Sequence, residues 1–540
     1  MLQDLIATLA SGAQMYWATS GVWMRVVLTV SAIWIFWRIW RFTILPLFRP
    51  NEPVELPYWI PYFGKSVNQL LVPIQFADVH DNQDMRIIHL MRETNYYHIK
   101  RFGTLEPFSM IIAGDRYYVI TSPEDTRPFF ADVKAMTTDG FLDRALLAFG
   151  CAPERLHTLW QRNTPTKVNP KGKNLIHLTQ DLFKHDLVPG PTLNVLLERY
   201  QGALDELLSW DRLVGAYPSL VSTQTEAISL YDICADFIAN ANQIVLFDRA
   251  LLAIDPDMAV EMRTFTDELW KLVHRSRLVD TTEVTRILRQ YSSAFKSYLQ
   301  LPPEARPNET PVIRTLLETY AELGIHEDDR AAMLVMICWA GDANAYKAAY
   351  WVLAYILYDP QLREIIRQET APAVGPDGKL DWPYLAKRCP RLSSIYHEVL
   401  RLTKRDVIVR QVVRDTALAG KRLRKDSIAV IPTCQLHDNP DTYGADAASF
   451  NPDRFLKQPG LAQTTFFPYG GGRHYCPGRY FVEMEIYGLV ALMLNRYEMD
   501  LAWAAPFPRR DESLVTLGIS RPVPGDDLHV TLNWKEGNKN

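Results

Sequence analysis

From Val26 to Trp37 the chain carries no charge, and Thr29 and Ser31 are its only polar positions. With Gly21 to Met24 beyond Arg25, the stretch to Trp40 reaches roughly 20 residues, the length that spans a bilayer. Arg25 and Arg38 stand where long side chains can snorkel toward the interfaces. Trp23 marks one end, and Trp34, Trp37 and Trp40 crowd the other. Arg38, Arg41 and Arg49 follow, which predicts that the rest of the chain faces the cytosol. No small-residue cleavage site follows the apolar core, so the pattern predicts an anchor rather than a signal peptide. The expected layout is an N-terminal tail over 1–20, a transmembrane anchor over 21–42 and a connector over 43–65. Pro46, Pro50, Pro53, Pro57 and Pro61 punctuate that connector and predict a stiff, non-helical segment. Residues 66–540 form the body.

Within the body, FSMIIAG, Gly114-Asp115 and RYYVITS predict a hairpin over Phe108 to Ser122. Ser122-Pro123-Glu124-Asp125 then predicts a helix start, with serine as N-cap and proline at the first position. From about Leu142 to Lys404 the apolar spacing is mainly helical. Tyr231 to Leu246 and Glu327 to Tyr358 are long runs of this kind. Short strands are expected at Val407 to Val413 and Ile428 to Ile431, and a pairing of Leu514 to Ile519 with Leu528 to Leu532. No repeat or linker divides the body, so one mainly α domain with small peripheral sheets is expected.

Composition narrows the function. Nearly half the 540 residues are apolar and the net charge is −4. No basic arm is visible, which argues against nucleic acid as a partner. Six cysteines lie far apart with no C-x-x-C pair, which excludes a zinc ribbon or a disulfide scaffold and fits a reducing compartment.

One cysteine stands out. In FPYGGGRHYCPGRYFVEME, Cys476 follows Gly470 to Gly472 and precedes Pro477 and a helical run. Backbone N–H groups at the mouth of a helix favour an anionic sulfur. The glycines allow close approach to a flat, bulky group, and Pro477 suits a first helical position. A thiolate so placed is a good axial ligand for haem iron. Glu398 and Arg401, three apart in SSIYHEVLRL, share one helix face. In MLVMICWAGDANAYKAAYW, Ile337, Ala340, Gly341, Asn344 and Ala348 share a face lined by small residues, while Asp342 points round the axis.

These segments, in this order, resemble the cytochromes P450. Aligned on the cysteine, the family pattern F-x-x-G-x-R-x-C-x-G is met here by Tyr469, Gly472, His474, Cys476 and Gly478. Tyrosine replaces the phenylalanine, and histidine replaces the arginine, with Arg473 one step earlier. The resemblance implies the cytochrome P450 fold and haem b bound axially by Cys476. It implies that Glu398 and Arg401 join Arg454 of Pro452-Asp453-Arg454-Phe455 in a structural lock. Arg410, Arg473 and His474 are the implied propionate-side residues. In the central helix, Gly341, Asp342 and Asn344 stand where the family has its oxygen-activating motif. There the usual threonine is replaced by Asn344, as in the branch of sterol 7α- and 12α-hydroxylases and prostacyclin synthase. Val407 to Val409 and Val515 to Ile519 match pocket-lining strand turns.

The implied activity is a monooxygenase acting on a lipophilic small molecule, steroid, terpenoid or polyketide-like. The overall character of the sequence points to fungal-type specialised metabolism. Electrons would come from NADPH through a separate cytochrome P450 reductase, with cytochrome b5 as a further donor and Arg473 and Arg479 on the docking face. The implied location is the endoplasmic reticulum membrane, single-pass, with the body in the cytosol. Two alternatives stay open at this point: a reductase-independent isomerase acting on a peroxide, and a non-catalytic haem- or lipid-binding protein.

Overall fold

The computed structural model describes residues 21–58, 105–112, 114–217, 227–274, 280–463, 465–512 and 518–535. The uncharged N-terminal run forms α1 (Val22–Ile39), and none of its residues is buried. The helix does not end where the connector was expected. It passes through a π turn, Trp40–Ile44, into a further turn, Leu45–Phe48. Pro46 lies at the start of that last turn, where a missing N–H costs least. Beyond it the chain is fastened to the body. Glu55 pairs with Arg41 and with Arg116, each at 2.9 Å, while Tyr58 packs its ring against Trp37 and Phe42. Pro61 lies outside the described residues.

Seven further helices place the site: α2 (Pro123–Ala131), α3 (Pro191–Leu207), α4 (Leu230–Phe247), α5 (Glu327–Asp342), α6 (Ala345–Tyr358), α7 (Pro390–Thr403) and α8 (Arg479–Arg496). Helix α2 begins as expected: the Ser122 hydroxyl accepts from the Glu124 N–H at 3.2 Å, satisfying one of the free first-turn amides. Helix α6 is buried nearly all round, so it forms the middle of the core, against α4, α7 and α8. The Trp351 indole, wholly buried, donates to the Ser520 carbonyl at 2.7 Å and so spends its one polar atom on the C-terminal segment.

The strands are β1 (Val54–Glu55), β2 (Phe108–Ile112), β3 (Asp115–Val119), β4 (Met136–Thr137), β5 (Ile228–Ser229), β6 (Val407–Val412), β7 (Thr416–Leu418), β8 (Lys421–Leu423), β9 (Ser427–Pro432), β10 (Tyr497–Leu501) and β11 (His529–Trp534). They make a six-stranded sheet in the order β1-β2-β3-β9-β6-β4, a three-stranded sheet β10-β11-β5 and the hairpin β7-β8. The predicted hairpin is β2-β3, with Ile112 opposite Asp115 and Gly114 at φ +90°.

One expectation is corrected. The run Glu327 to Tyr358 is two helices, because the backbone turns at Ala343 and Asn344. The tail strand β11 pairs with β10 and β5, and the pairing expected with Leu514 to Ile519 falls mostly outside the described residues. Of that segment, 513–517 lie outside the described residues, and Ile519 forms a single bridge to Lys404.

Candidate active site

The cysteine loop is held by buried charge. Glu398 and Arg401 on α7 are both fully buried, the opposite of an exposed helix pair. Arg401 donates to both Glu398 oxygens at 2.8 Å, and Arg454 Nε donates to the same carboxylate at 3.0 Å. The Asn451 N–H adds a further donor at 3.1 Å. Arg401 also donates to the carbonyls of His437 and Ala447 at 2.7 Å. His437 in turn accepts the Phe467 N–H on Nε2 at 3.1 Å, which carries the lock to the start of the cysteine loop. A second tie comes from Tyr469, whose hydroxyl meets that of Tyr396 on α7. Tyrosine in place of the family phenylalanine therefore adds a bond to the same helix. His437 and Tyr396 were not singled out by sequence. Neither carries a local signal, because both act through residues 30 to 73 positions away.

Glycine is required in the loop on two counts. Gly472 has φ +65°, and a Cβ there would stand 2.7 Å from the Phe130 carbonyl oxygen. A Cβ on Gly471 would meet the Phe130 ring at the same distance. Cys476 donates its N–H to the Tyr469 carbonyl at 3.1 Å. Five of the six cysteines are buried, and Cys476 alone is partly accessible. Pro477 is not the first helical residue: α8 starts at Arg479, with Gly478 as its N-cap. The amides of Gly478 and Arg479 nonetheless act on the sulfur. Burial is the larger effect and pushes the Cys476 thiol up, against those amides and the cations of Lys404 and Arg479. Helix-mouth amides alone thus do not make the free sulfur anionic, and a cation bound to it would.

Arg410, on β6, is buried and donates to the Val409 carbonyl at 2.8 Å and the Gly471 carbonyl at 3.4 Å. It lies over the rings of Phe129 and Phe130, each at 5.7 Å. Among the described residues no carboxylate pairs with it, and burial pushes its guanidinium down to about 10. A buried cation without an anion is costly, so this arrangement fits an anionic group brought by a ligand. His474 stands beside it, its Nδ1 3.1 Å from the Thr138 hydroxyl. Burial, with Arg410 next, pushes the imidazole down to about 4, so it is neutral at pH 7. Arg473 is exposed and is not drawn in with them. Arg479 folds back, donating to the Cys476 carbonyl at 3.0 Å and lying over Tyr480 at 4.2 Å.

At the break between α5 and α6, Ala340 is exposed and Gly341 and Asn344 are partly accessible, although their neighbours are buried. Asp342 is buried, turned away from that face as the helical spacing predicts. The Asn344 side-chain oxygen accepts the Ile519 N–H at 2.8 Å. Its carboxamide thus bonds the C-terminal segment rather than its own helix.

A partly accessible cysteine beside two helix-mouth amides, a buried guanidinium with no carboxylate partner among the described residues and a glycine cradle together fit a haem held through sulfur, with Cys476 and Arg410 as the residues that would hold it.

The comparisons agree with this geometry. The family model for cytochrome P450 matches residues 219–528, more than half the chain. A cytochrome P450 monooxygenase of Penicillium oxalicum, poxD, is 25% identical over 503 residues, 89% of this chain and 94% of its own length. Rat 25-hydroxycholesterol 7-alpha-hydroxylase is 26% identical over 394 residues, 66% of this chain and 91% of its own. Among solved structures, retinoic acid bound cyanobacterial CYP120A1 shares the fold with a TM-score of 0.62 at 16% identity, over 90% of this chain and 100% of that one. On the family match, the shared fold and the cysteine loop with its lock, the chain belongs to the cytochrome P450 family and is a monooxygenase.

Proposed function

We propose that this monooxygenase inserts oxygen into a lipophilic small molecule, steroid, terpenoid or polyketide-like, at a haem b bound axially by Cys476. The observation that carries the reading is the pairing of a partly accessible Cys476, set beside the amides of Gly478 and Arg479, with the buried Arg410 that has no carboxylate partner among the described residues. When bound, the haem would supply oxygen activation, with thiolate electron donation favouring O–O cleavage.

The rest falls to the chain. Arg410 and the neutral His474 would take up the propionate side, where a buried cation needs an anion. Arg473, exposed, is left for the surface. Gly341 keeps the central helix thin at the break. The Asn344 carbonyl is occupied by Ile519, so its NH2 group would be the donor that holds water for proton delivery. Apolar Val407 and Val409 on β6, together with the apolar character of Val515 to Ile519, suit a greasy substrate. The relatives named for sterol hydroxylation and fungal monooxygenation support that class.

Helix α1 would anchor the protein in the endoplasmic reticulum membrane in a single pass, with residues 66–540 as the catalytic domain on the cytosolic side. Electrons would arrive from NADPH-cytochrome P450 reductase, with cytochrome b5 as a further donor. Membrane preparations holding this protein and a reductase, given NADPH and labelled dioxygen, test the reading. The expected product carries one labelled oxygen atom and forms only with all three components. Peroxide rearrangement without reductase or NADPH would overturn it.

A further inference from the structure

Five polar side chains meet in the sealed interior between the break in the central helix and α8. Asn242 and Gln243 are adjacent on α4, inside the largely apolar run ICADFIANANQIVLF, where Asp236 and Asn240 are the other polar residues. Asp342 closes α5, Glu485 lies on α8, and Tyr200 comes from α3. All five are buried, none more exposed than 2%. Gln243 Nε2 donates to Asp342 Oδ2 at 3.4 Å, and Asn242 Nδ2 reaches the Gly341 carbonyl at 3.3 Å. The Asn242 side chain also lies near both carboxyl groups, Asp342 and Glu485, and favours their ionised forms.

The inventory of donors is decisive. Among the described residues, Asn242 Oδ1, Gln243 Oε1, Asp342 Oδ1 and Glu485 Oε1 find no donor, and the Tyr200 hydroxyl finds no partner. Four of these atoms are acceptors if the acids are ionised, and Tyr200 is the one remaining donor. Each proton placed on a carboxyl converts one acceptor into a donor. Two ionised carboxylates here would also repel each other without a counter-charge. The titratable groups facing them are Tyr200 from α3, Cys338 from α5 and Tyr291 from the helix Thr282–Gln300, with Cys234 from α4 behind Tyr200. No lysine, arginine or histidine contributes to the shift of either carboxyl.

We propose that Asp342 and Glu485 are a pair of uncharged carboxylic acids that act as positioning residues: gathered with Asn242 and Gln243 in one sealed polar cluster, they set the break in the central helix against the helix that follows the cysteine loop. Burial pushes Asp342 up to about 8, opposed by Gln243, Asn242 and Cys338. Burial, and then Asp342, push Glu485 up in the same direction. An acid held protonated in the fold and ionised in the unfolded chain lends stability at low pH that is lost as pH rises toward its folded value. The positioning role rests on the haem reading above, whereas the protonation does not.

The test uses the full-length membrane protein and its Asp342→Asn, Glu485→Gln, Asp342→Ala and Glu485→Ala variants. Infrared spectra at neutral pH are expected to show protonated carboxylic C=O intensity that drops in each single variant. Thermal unfolding of Asp342→Asn is expected to match or exceed wild type and to decline less steeply than wild type as pH rises from about 4 to about 8. The reduced, carbon monoxide-bound spectrum is expected to persist in the amide variants and to lose its thiolate-type band at lower pH in the alanine variants. A wild-type infrared spectrum unchanged by either amide substitution overturns the protonation. Alanine variants whose carbon monoxide spectra follow the wild-type pH profile overturn the positioning role. Carboxylic intensity in a folded wild type that never gives the thiolate band overturns the haem reading instead.

Discussion

Replacing Glu398 by glutamine keeps the shape of the lock and removes its only buried negative charge. Glu398 accepts from Arg401 through two bonds of 2.8 Å, from Arg454 at 3.0 Å and from the Asn451 amide at 3.1 Å. Both members of the Glu398–Arg401 pair are 0% exposed, and Arg454 is 6% exposed. After the substitution, two guanidinium groups share a buried site with no carboxylate between them. Arg454 keeps Asp446 at 3.0 Å, but that partner is half exposed, and Arg401 keeps carbonyls and the face of the Tyr443 ring. Breaking a buried pair by removing one partner costs about 3–5 kcal/mol, and the retained Arg401–carbonyl bonds place this case at the lower end, ~3 kcal/mol. Because His437 and Phe467 connect the lock to the cysteine loop, haem retention should fall along with stability. The assay is thermal unfolding together with the haem content of the purified protein. Glu364→Gln, at the exposed Glu364–Arg367 pair, serves as the control and should change neither. A Glu398→Gln protein that melts and retains haem like the control would refute the reasoning.

Arg410→Gln should act with opposite signs in the two forms of the protein. Without haem it removes a buried unpaired cation, and the melting temperature should hold or rise; with haem it should speed haem loss to an apomyoglobin-type acceptor. Gly472→Ala should destabilise more than Gly420→Ala, measured by thermal unfolding. Both have positive φ, costing about 1–2 kcal/mol each, but only Gly472 also drives a Cβ to 2.7 Å from a backbone oxygen. Asp342, pushed up to about 8 from 3.8, should give wild type a stability loss approaching ~1.4 kcal/mol per pH unit between those values. Asp342→Asn should flatten that slope in pH-dependent unfolding.

The parts of the molecule governed by local chemistry were legible in the sequence. Ser122 caps its helix, the Gly114 turn closes its hairpin and the apolar run from Val22 forms one exposed helix, because neighbouring residues decide each of these. Glu398 and Arg401 were legible as a pair but not as buried. Three-residue spacing gives a shared face, and only Arg454, 56 positions from Glu398, together with the carbonyls of His437 and Ala447, encloses it. The break at Asn344 could not be read from periodicity. The apolar spacing of Glu327 to Tyr358 runs on without proline, and the side chain at the break is engaged by Ile519, 175 residues away. The same holds for the pairing of β11 with Tyr497–Leu501, which no local signal announces. Glu485 sits in VEMEIY, which reads as an ordinary helix surface. The signal that could have found it is the amide pair Asn242-Gln243 in an apolar helix, since buried amides need partners.

The central claim is that sulfur from Cys476 binds the haem iron. It is tested most directly by the absorption spectrum of the reduced, carbon monoxide-bound protein, recorded for wild type and for Cys476→His. Wild type should show the red-shifted Soret band that thiolate coordination gives, and the histidine variant should bind haem without that band. A folded, haem-loaded wild type lacking the band, or a variant retaining it, would contradict the account.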